Sequence, residues 1–183
     1  PEVSGLRWKS MPADRMLDDL QALQERWGFD VVRFYDANYG VMEKRVRGFA
    51  QGLVDRGITL WHYVYMQAES VVRFDPATID LFAASGMYVA LLGAETGTDE
   101  TMAMTKKTTR GDTNIEAAVL LHERGIIPHL TYVIGFPNES AESMLATLEQ
   151  ARRVQVLCPG SYPAVWPSGP IPGTPMFREA VVV

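Results

Sequence analysis

The chain has 183 residues, 47% of them hydrophobic and 21% charged, with a formal net charge of −5. That is enough for one packed core in ordinary globular proportions. No more than two basic residues adjoin, which argues against a nucleic-acid footprint. No apolar run approaches the roughly twenty residues of a membrane helix. Cys158 is the only cysteine, so a disulfide framework is excluded, as is any metal or iron–sulfur site built from several cysteines of this chain. A reducing, cytoplasmic compartment fits this usage. The opening PEVSG is neither an initiator methionine nor a signal peptide, and the chain is expected to be a trimmed piece of something longer.

Helix and strand patterns alternate along the chain. Ser10-Met11-Pro12 starts a helix carrying Met16, Leu20, Leu23 and Trp27 at helical spacing, closed by Gly28. Asp30–Asn38 is strand-like. Val46, Phe49, Ala50, Leu53 and Val54 mark a second amphipathic helix ending at Gly57, and Ile58–Met66 is aromatic and β-branched, a second strand. Asp75-Pro76 starts a helix with Ile79, Phe82 and Ala83 buried, since proline fits a first turn that needs no amide donor. Met87–Ala94 is a continuous apolar strand. A short helix around Asp99–Met104 and a polar TKKTTRGDT segment lead to a helix bearing Ile115, Ala118, Val119 and His122, closed by Gly125. Ile126–Ile134 is the fourth strand. Ser140 caps a helix with Met144, Leu145, Leu148 and Ala151 as its apolar stripe, and Ser161–Trp166 is the last strand, before the loop PSGPIPGTP.

Strands recurring at roughly the length of a βαβ unit predict a parallel sheet with right-handed crossovers. About five strands do not close an eight-stranded barrel, so an open, partial TIM-like α/β barrel is the first expectation and a flat doubly wound sheet the second.

In such a barrel the working residues gather at the carboxyl ends of the strands. Those ends collect Tyr35, Asp36 and Asn38; Gln67 and Glu69; Glu95 and Thr96; Gly135 to Glu139; and Trp166 to Gly173. Polar or aromatic tips on apolar strand bodies predict one shared ligand site. Glu95 ends an apolar strand, and a carboxylate there is suited to accepting hydrogen bonds from paired hydroxyls, or else is a solvated turn or cap. Asp36 with Asn38 reads either as a site pair or as an Asx turn. Gly135, with its Phe136-Pro137-Asn138 turn, is placed to present backbone to a ligand. His62, His122 and His129 lack metal-ligand spacing, and no phosphate-binding glycine motif or nucleophile elbow is present. Lys106-Lys107 could hold an anion or form a Schiff base, or be a solvated pair.

FYDAN (Phe34–Asn38), GAETG (Gly93–Gly97), KKTTRGDT (Lys106–Thr113), GIIPHLTYVIGFPNES (Gly125–Ser140) and PIPGTPMFREA (Pro170–Ala180), as a spaced series, closely resemble the motifs of the radical S-adenosylmethionine (SAM) superfamily. The nearest branch is the one whose members often carry an upstream cobalamin-binding domain. The resemblance implies that residues 1–183 are the later part of a partial (β/α)6 barrel, truncated at its amino end. The first strand and the CxxxCxxC loop that ligates a 4Fe-4S cluster would lie upstream. It implies SAM bound across the strand tips, with its methionine end on the cluster's open iron and reductive cleavage yielding a 5′-deoxyadenosyl radical. A small-molecule substrate, an electron donor such as flavodoxin or ferredoxin, and cobalamin on an upstream domain are implied with it. Carried over by position, Glu95 holds the ribose hydroxyls, and Ile134, Gly135 and Phe136 flank adenine. Asp36 with Asn38 takes the amino-acid end, and Gln67 stands where related sequences often have arginine. Tyr35, Trp166 and Pro172 line the mouth near the substrate. The family's Gly-Gly-Glu is absent, as is a cobalamin-binding Asp-x-His-x-x-Gly pattern. Methyl transfer and ring or skeletal modification both remain open as outcomes. Two alternatives stand beside this reading: a non-catalytic barrel binding a nucleoside-like ligand, and an unrelated lyase using Lys106 or Lys107.

Overall fold

The computed structural model describes residues 9–98, 101, 111–174 and 176–178. Except for Thr101, the predicted helix at Asp99–Met104 lies outside these residues, as does the Lys106-Lys107 pair. In chain order the elements are α1 (Ala13–Trp27), β1 (Val31–Arg33), α2 (Glu43–Asp55), β2 (Trp61–Met66), α3 (Ala68–Arg73), α4 (Pro76–Ala84), β3 (Met87–Glu95), α5 (Gly111–His122), β4 (Ile127–Ile134), α6 (Ala141–Leu157) and β5 (Ala164–Pro167).

All strand pairs are parallel, and the order in the sheet is the order in the chain. A doubly wound sheet reverses its strand order partway; this one does not. Winding in one direction puts the helices on one face, and the five strands curl into an open half-barrel. The partial α/β barrel is therefore the fold, and the flat alternative is set aside.

The sheet's two faces separate by the alternation of side chains along each strand. His62, Val64 and Met66 of β2, Ala90, Leu92 and Ala94 of β3, and Leu130 and Tyr132 of β4 are buried against the helices. Their neighbours on the concave face are only partly covered. Local signals act as expected at several ends. Gly28 closes α1 in the left-handed conformation, with its amide on the Gln24 carbonyl at 2.8 Å. Asp75 accepts from the Ala77 amide at 2.9 Å ahead of Pro76, and Ser140 accepts from Ser143 at 3.1 Å.

Three expectations are corrected. The α1 face that packs is Met16, Leu17 and Leu20, while Trp27 is 68% exposed and Leu23 also faces out. On α6, Leu145 is 65% exposed and Leu148 exposed; its buried stripe is Ser143, Thr147, Gln150, Ala151 and Val154. The first strand is shorter than predicted: its ladder ends where the Phe34 amide meets the Tyr63 carbonyl at 2.9 Å, and the chain then turns. Finally, residues 68–73, to which the sequence patterns assign no element, form α3.

Candidate ligand site at the strand tips

The carboxyl end of β3 is shaped by two backbone devices. Gly93 pairs with Thr131 but Glu95 with Tyr132, so Ala94 is an extra residue, a bulge in the β3 ladder. Glu95 itself has φ +61°, a left-handed conformation that a non-glycine residue rarely adopts. Bulge and turn together aim the half-buried Glu95 side chain independently of the strand's alternation. Strain held at such a position is a frequent mark of a ligand site. On the neighbouring strand, Gly135 follows the end of β4 at φ +78°. A Cβ built there meets nothing closer than the Ser168 hydroxyl at 3.9 Å, so glycine is needed for its backbone angle and not for space.

The turn after β4 is closed on itself. Glu139 Oε2 accepts from the amides of Gly135 at 2.6 Å and Phe136 at 3.1 Å. The Ser168 amide donates to the Ile134 carbonyl at 2.7 Å, and the Ser168 hydroxyl donates to the Gly135 carbonyl. The Gly135 and Phe136 amides of this turn are thus bonded within the chain. What it offers is the surface of Ile134 and Phe136.

The buried polar stripe of α6 holds the two tips in register. Ser143 Oγ donates to Glu139 Oε1 at 3.0 Å and lies 3.0 Å from the Thr98 hydroxyl and 2.6 Å from that of Thr101. Thr147 Oγ1 lies 3.1 Å from the Thr96 hydroxyl and accepts from the Gly97 amide at 3.0 Å. Asn114 on α5 donates to the Ala94 carbonyl and to Gln150 Oε1, both at 3.2 Å. A Cβ on Gly97 would stand 2.8 Å from Thr147 Cα, so the loop touches helix backbone there. Sequence reasoning missed these positioning residues because they are polar. Their signal is the spacing 143, 147, 150, 154, which continues into Ala151 and Val154 as one helical face.

The tips of β1 and β2 meet through side chains. Asn38 Oδ1 accepts from the Gly40 amide at 3.1 Å, the Asx turn that sequence allowed, and its Nδ2 donates to Gln67 Oε1 at 3.1 Å. Asp36 is 3.5 Å from the guanidinium of Arg45, whose side chain is only 8% exposed. That pair borders a cleft of about 480 Å³ between α1 and β1. The structure thus joins Asn38 with Gln67 and binds Ser168, beyond Trp166, to the β4 turn, whereas Asp36 is engaged by Arg45. Trp166 and Pro172 are exposed on β5 and the following loop.

Below the tips, the concave face carries a cluster that no motif announced. The Arg33 guanidinium lies 5.0, 4.5 and 5.0 Å from the ring centres of Tyr35, Tyr63 and Tyr65. Tyr63 Oη is 2.9 Å from His129 Nδ1, and burial, with the Arg33 charge adding, pushes the His129 pKa down. Tyr35, counted at the sequence level as a site residue, is 77% exposed at the rim of this cluster.

A cluster site does not fit this chain's residues. Helix α6 runs back from the β4 tip, so Cys158 at its end lies at the opposite, amino-terminal edge of the sheet. There it is buried, and burial with the Glu123 charge pushes its thiol pKa up. Among the described residues no three His, Cys, Asp or Glu side chains come together as a metal set. No described helix is long and apolar enough to cross a membrane.

No family model matches the chain. It is 27% identical over 184 residues to bacteriochlorophyllide d C-12(1)-methyltransferase of Chlorobaculum tepidum, covering 98% of this chain and 38% of that protein. It is 20% identical over 177 residues to the uncharacterized methyltransferase PH0819 of Pyrococcus horikoshii, covering 97% and 37%. The chain therefore spans a little over a third of these relatives' length. Among solved structures, the radical SAM methyltransferase TsrM from Kitasatospora setae, with cobalamin and a [4Fe-4S] cluster bound, superposes with a TM-score of 0.81 at 19% identity, over 96% of this chain and 32% of that one. Coproporphyrinogen III oxidase (HemN) from Escherichia coli, a radical SAM enzyme, gives 0.62 at 13% identity over 93% and 45%. In fold the chain resembles radical SAM enzymes, a cobalamin-binding one among them, and in sequence it resembles proteins named as methyltransferases.

Proposed function

We propose that this chain is the SAM- and substrate-binding part of a radical SAM barrel that serves methyl transfer together with cobalamin. The observation that carries the reading is the pair of adjacent strand tips at positive φ, Glu95 and Gly135, tied into one unit by Glu139 and the polar face of α6. Its relatives named as methyltransferases support the reaction class. Cytoplasmic location and an electron donor such as flavodoxin or ferredoxin belong to the same proposal.

When bound, SAM supplies the methyl group or the 5′-deoxyadenosyl radical. The chain's own residues bind and orient it. Glu95, fixed by its bulge, accepts hydrogen bonds from the paired ribose hydroxyls, charge-assisted contacts that need a fixed carboxylate. Ile134 and Phe136 flank adenine on the closed β4 turn. Asn38 and Gln67 offer their remaining amide groups to the amino-acid end, and Asp36, held by Arg45, borders it. Tyr35, Trp166 and Pro172 form the mouth through which a small-molecule substrate enters, and filling it excludes water from the reacting atoms.

The cluster ligands are assigned to residues outside this chain. The test uses the full-length protein, reconstituted anaerobically with iron and sulfide and supplied with dithionite as reductant. It should bind SAM and consume it, giving 5′-deoxyadenosine or S-adenosylhomocysteine, and Glu95→Ala should weaken SAM binding by about 1.5–3 kcal/mol per hydrogen bond lost. Calorimetry showing the same SAM affinity in Glu95→Ala as in wild type would overturn the assignment.

A further inference from the structure

We propose that the concave face carries a substrate subsite centred on Arg33, which takes a carboxylate borne on an aromatic or conjugated body. The inference deepens the reading above and rests on it for the position of the cofactor. Arg33 has an aromatic setting but no acid. Arg45, Arg56 and Arg124 each sit with an aspartate, whereas among the described residues no carboxylate comes within ion-pair distance of Arg33. A guanidinium has five N–H donors in a planar fork, and among the described residues the one side-chain hydrogen bond of Arg33 is from Nη2 to the Tyr65 hydroxyl. Tyrosine rings stabilise its charge through their faces and leave the rest of the fork for an incoming anion. Tyr65, already accepting from Arg33, keeps its own hydroxyl proton to donate to the same anion.

The floor beside the fork is a row of near-parallel rings. The Tyr63 and Tyr65 rings stack at 5.5 Å and 16°, and Tyr63 and His129 at 6.2 Å and 23°. Tyr162 closes the far end, edge-on to His129 at 4.9 Å and 79°. Near-parallel rings spread over strands β2 and β4 suit a ligand with an extended π-face. Burial and the Arg33 charge both push the His129 pKa down, which disfavours a second cation on this floor. Arg33 is the one cation among the described residues of the face, which matches a monoanionic carboxylate better than a phosphate dianion.

The carboxylate could come from the substrate or from SAM's methionine end, and depth favours the substrate. Arg33 is in register with Tyr63, and Tyr63 with Val89, six positions before Glu95. With Ala94 bulged out of the ladder that is five strand steps, which at about 3.3 Å each sets the Arg33 backbone roughly 17 Å below the cofactor's ribose contact.

The test titrates the full-length protein with naphthalene-2-carboxylate, its methyl ester and inorganic phosphate, following tyrosine and tryptophan fluorescence, and separately measures SAM affinity. The acid should bind at least about tenfold more tightly than the ester, as expected for a charge-assisted fork contact. Arg33→Met should erase that difference, Arg33→Lys should restore part of it, and Tyr65→Phe should weaken the acid severalfold. SAM affinity should be unchanged in all three variants, with wild-type circular dichroism in the lysine variant as the folding control. Equal binding of acid and ester to wild type would overturn the subsite, as would phosphate competing as well as the acid. A loss of SAM affinity in Arg33→Met matching the loss of acid would hand the fork to the cofactor and overturn the inference too. Acid selectivity in a wild-type protein that binds no SAM would instead sustain the subsite and sink the reading of the strand tips.

Discussion

His62 of β2 and His129 of β4 flank β3 on its two sides, both with pKa values pushed down, yet they belong to different worlds. His62 faces the helices, fully buried; among the described residues neither ring nitrogen has a partner, and its ring meets Phe34 edge-on at 6.1 Å. His129 faces the concave side, bonded to Tyr63 and touched by Tyr162. One face of the sheet is dry, closely packed and indifferent to chemistry. The other is half-covered, aromatic and polar. Side-chain alternation lets each strand do both jobs, so neighbours in sequence should differ sharply in what their loss does.

The pair Leu91 and Leu92 gives the largest contrast. Leu92 is fully buried against the helices, while Leu91 is half-covered on the concave face. Leu92→Ala should cost about 2–5 kcal/mol of stability, and Leu91→Ala less than half of that. Urea unfolding measures both. Equal losses would mean that the concave face is core as well, and the contrast between the faces would collapse.

His62 should make stability depend on pH. Burial drops its pKa from the ordinary 6.5 to about 4. Above pH 6.5 both folded and unfolded forms are neutral there, and the residue contributes no pH dependence. As pH falls from 6.5 toward 4 only the unfolded chain takes the proton, so stability declines. Below about 4 the folded protein binds it as well and the decline from this group ends. The whole step is about 3 kcal/mol. His62→Leu should flatten the difference curve between pH 6.5 and 5 and, by removing two orphaned nitrogens, leave neutral-pH stability little changed. A variant with the wild-type slope would assign the pH dependence elsewhere.

What the sequence disclosed follows the same division. The strands, most of the helices and the strand-tip positions were legible because apolar periodicity, glycine stops and the Asp75-Pro76 and Ser140 starts are local signals. Helix α3 was not, since six residues between Gln67 and Phe74 are too few for a periodicity to show. The α6 stripe was read on the wrong side because Ser143, Thr147 and Gln150 look like a solvated face. They are buried only because the β3 loop brings hydroxyls and a bare glycine against them. The Arg33 cluster was invisible for another reason: its members come from strands paired through space, and only the register shows that they share a face. Glu95 is a candidate by its place at a strand end, but nothing in a glutamate announces φ +61°.

The two strand tips allow a last test in which the signs are opposite. Glu95 occupies a left-handed angle that disfavours any Cβ, at roughly 1–2 kcal/mol per residue, whereas Gly135 occupies a similar angle without that penalty. Gly135→Val places a β-branched residue at φ +78° and should therefore destabilise by at least about 1–2 kcal/mol, with SAM binding lost as the Glu139-closed turn is distorted. Glu95→Gly relieves the strain, offset in part by the greater chain entropy of glycine, so its melting temperature should stay level or rise. SAM affinity should nevertheless fall, because the carboxylate is gone. A tip that becomes more stable while binding less is the signature of strain kept for a ligand and not for the fold. If Glu95→Gly instead lowered the melting temperature and left SAM affinity intact, Glu95 would be a structural residue, and the β3 tip would belong with the dry face of the sheet.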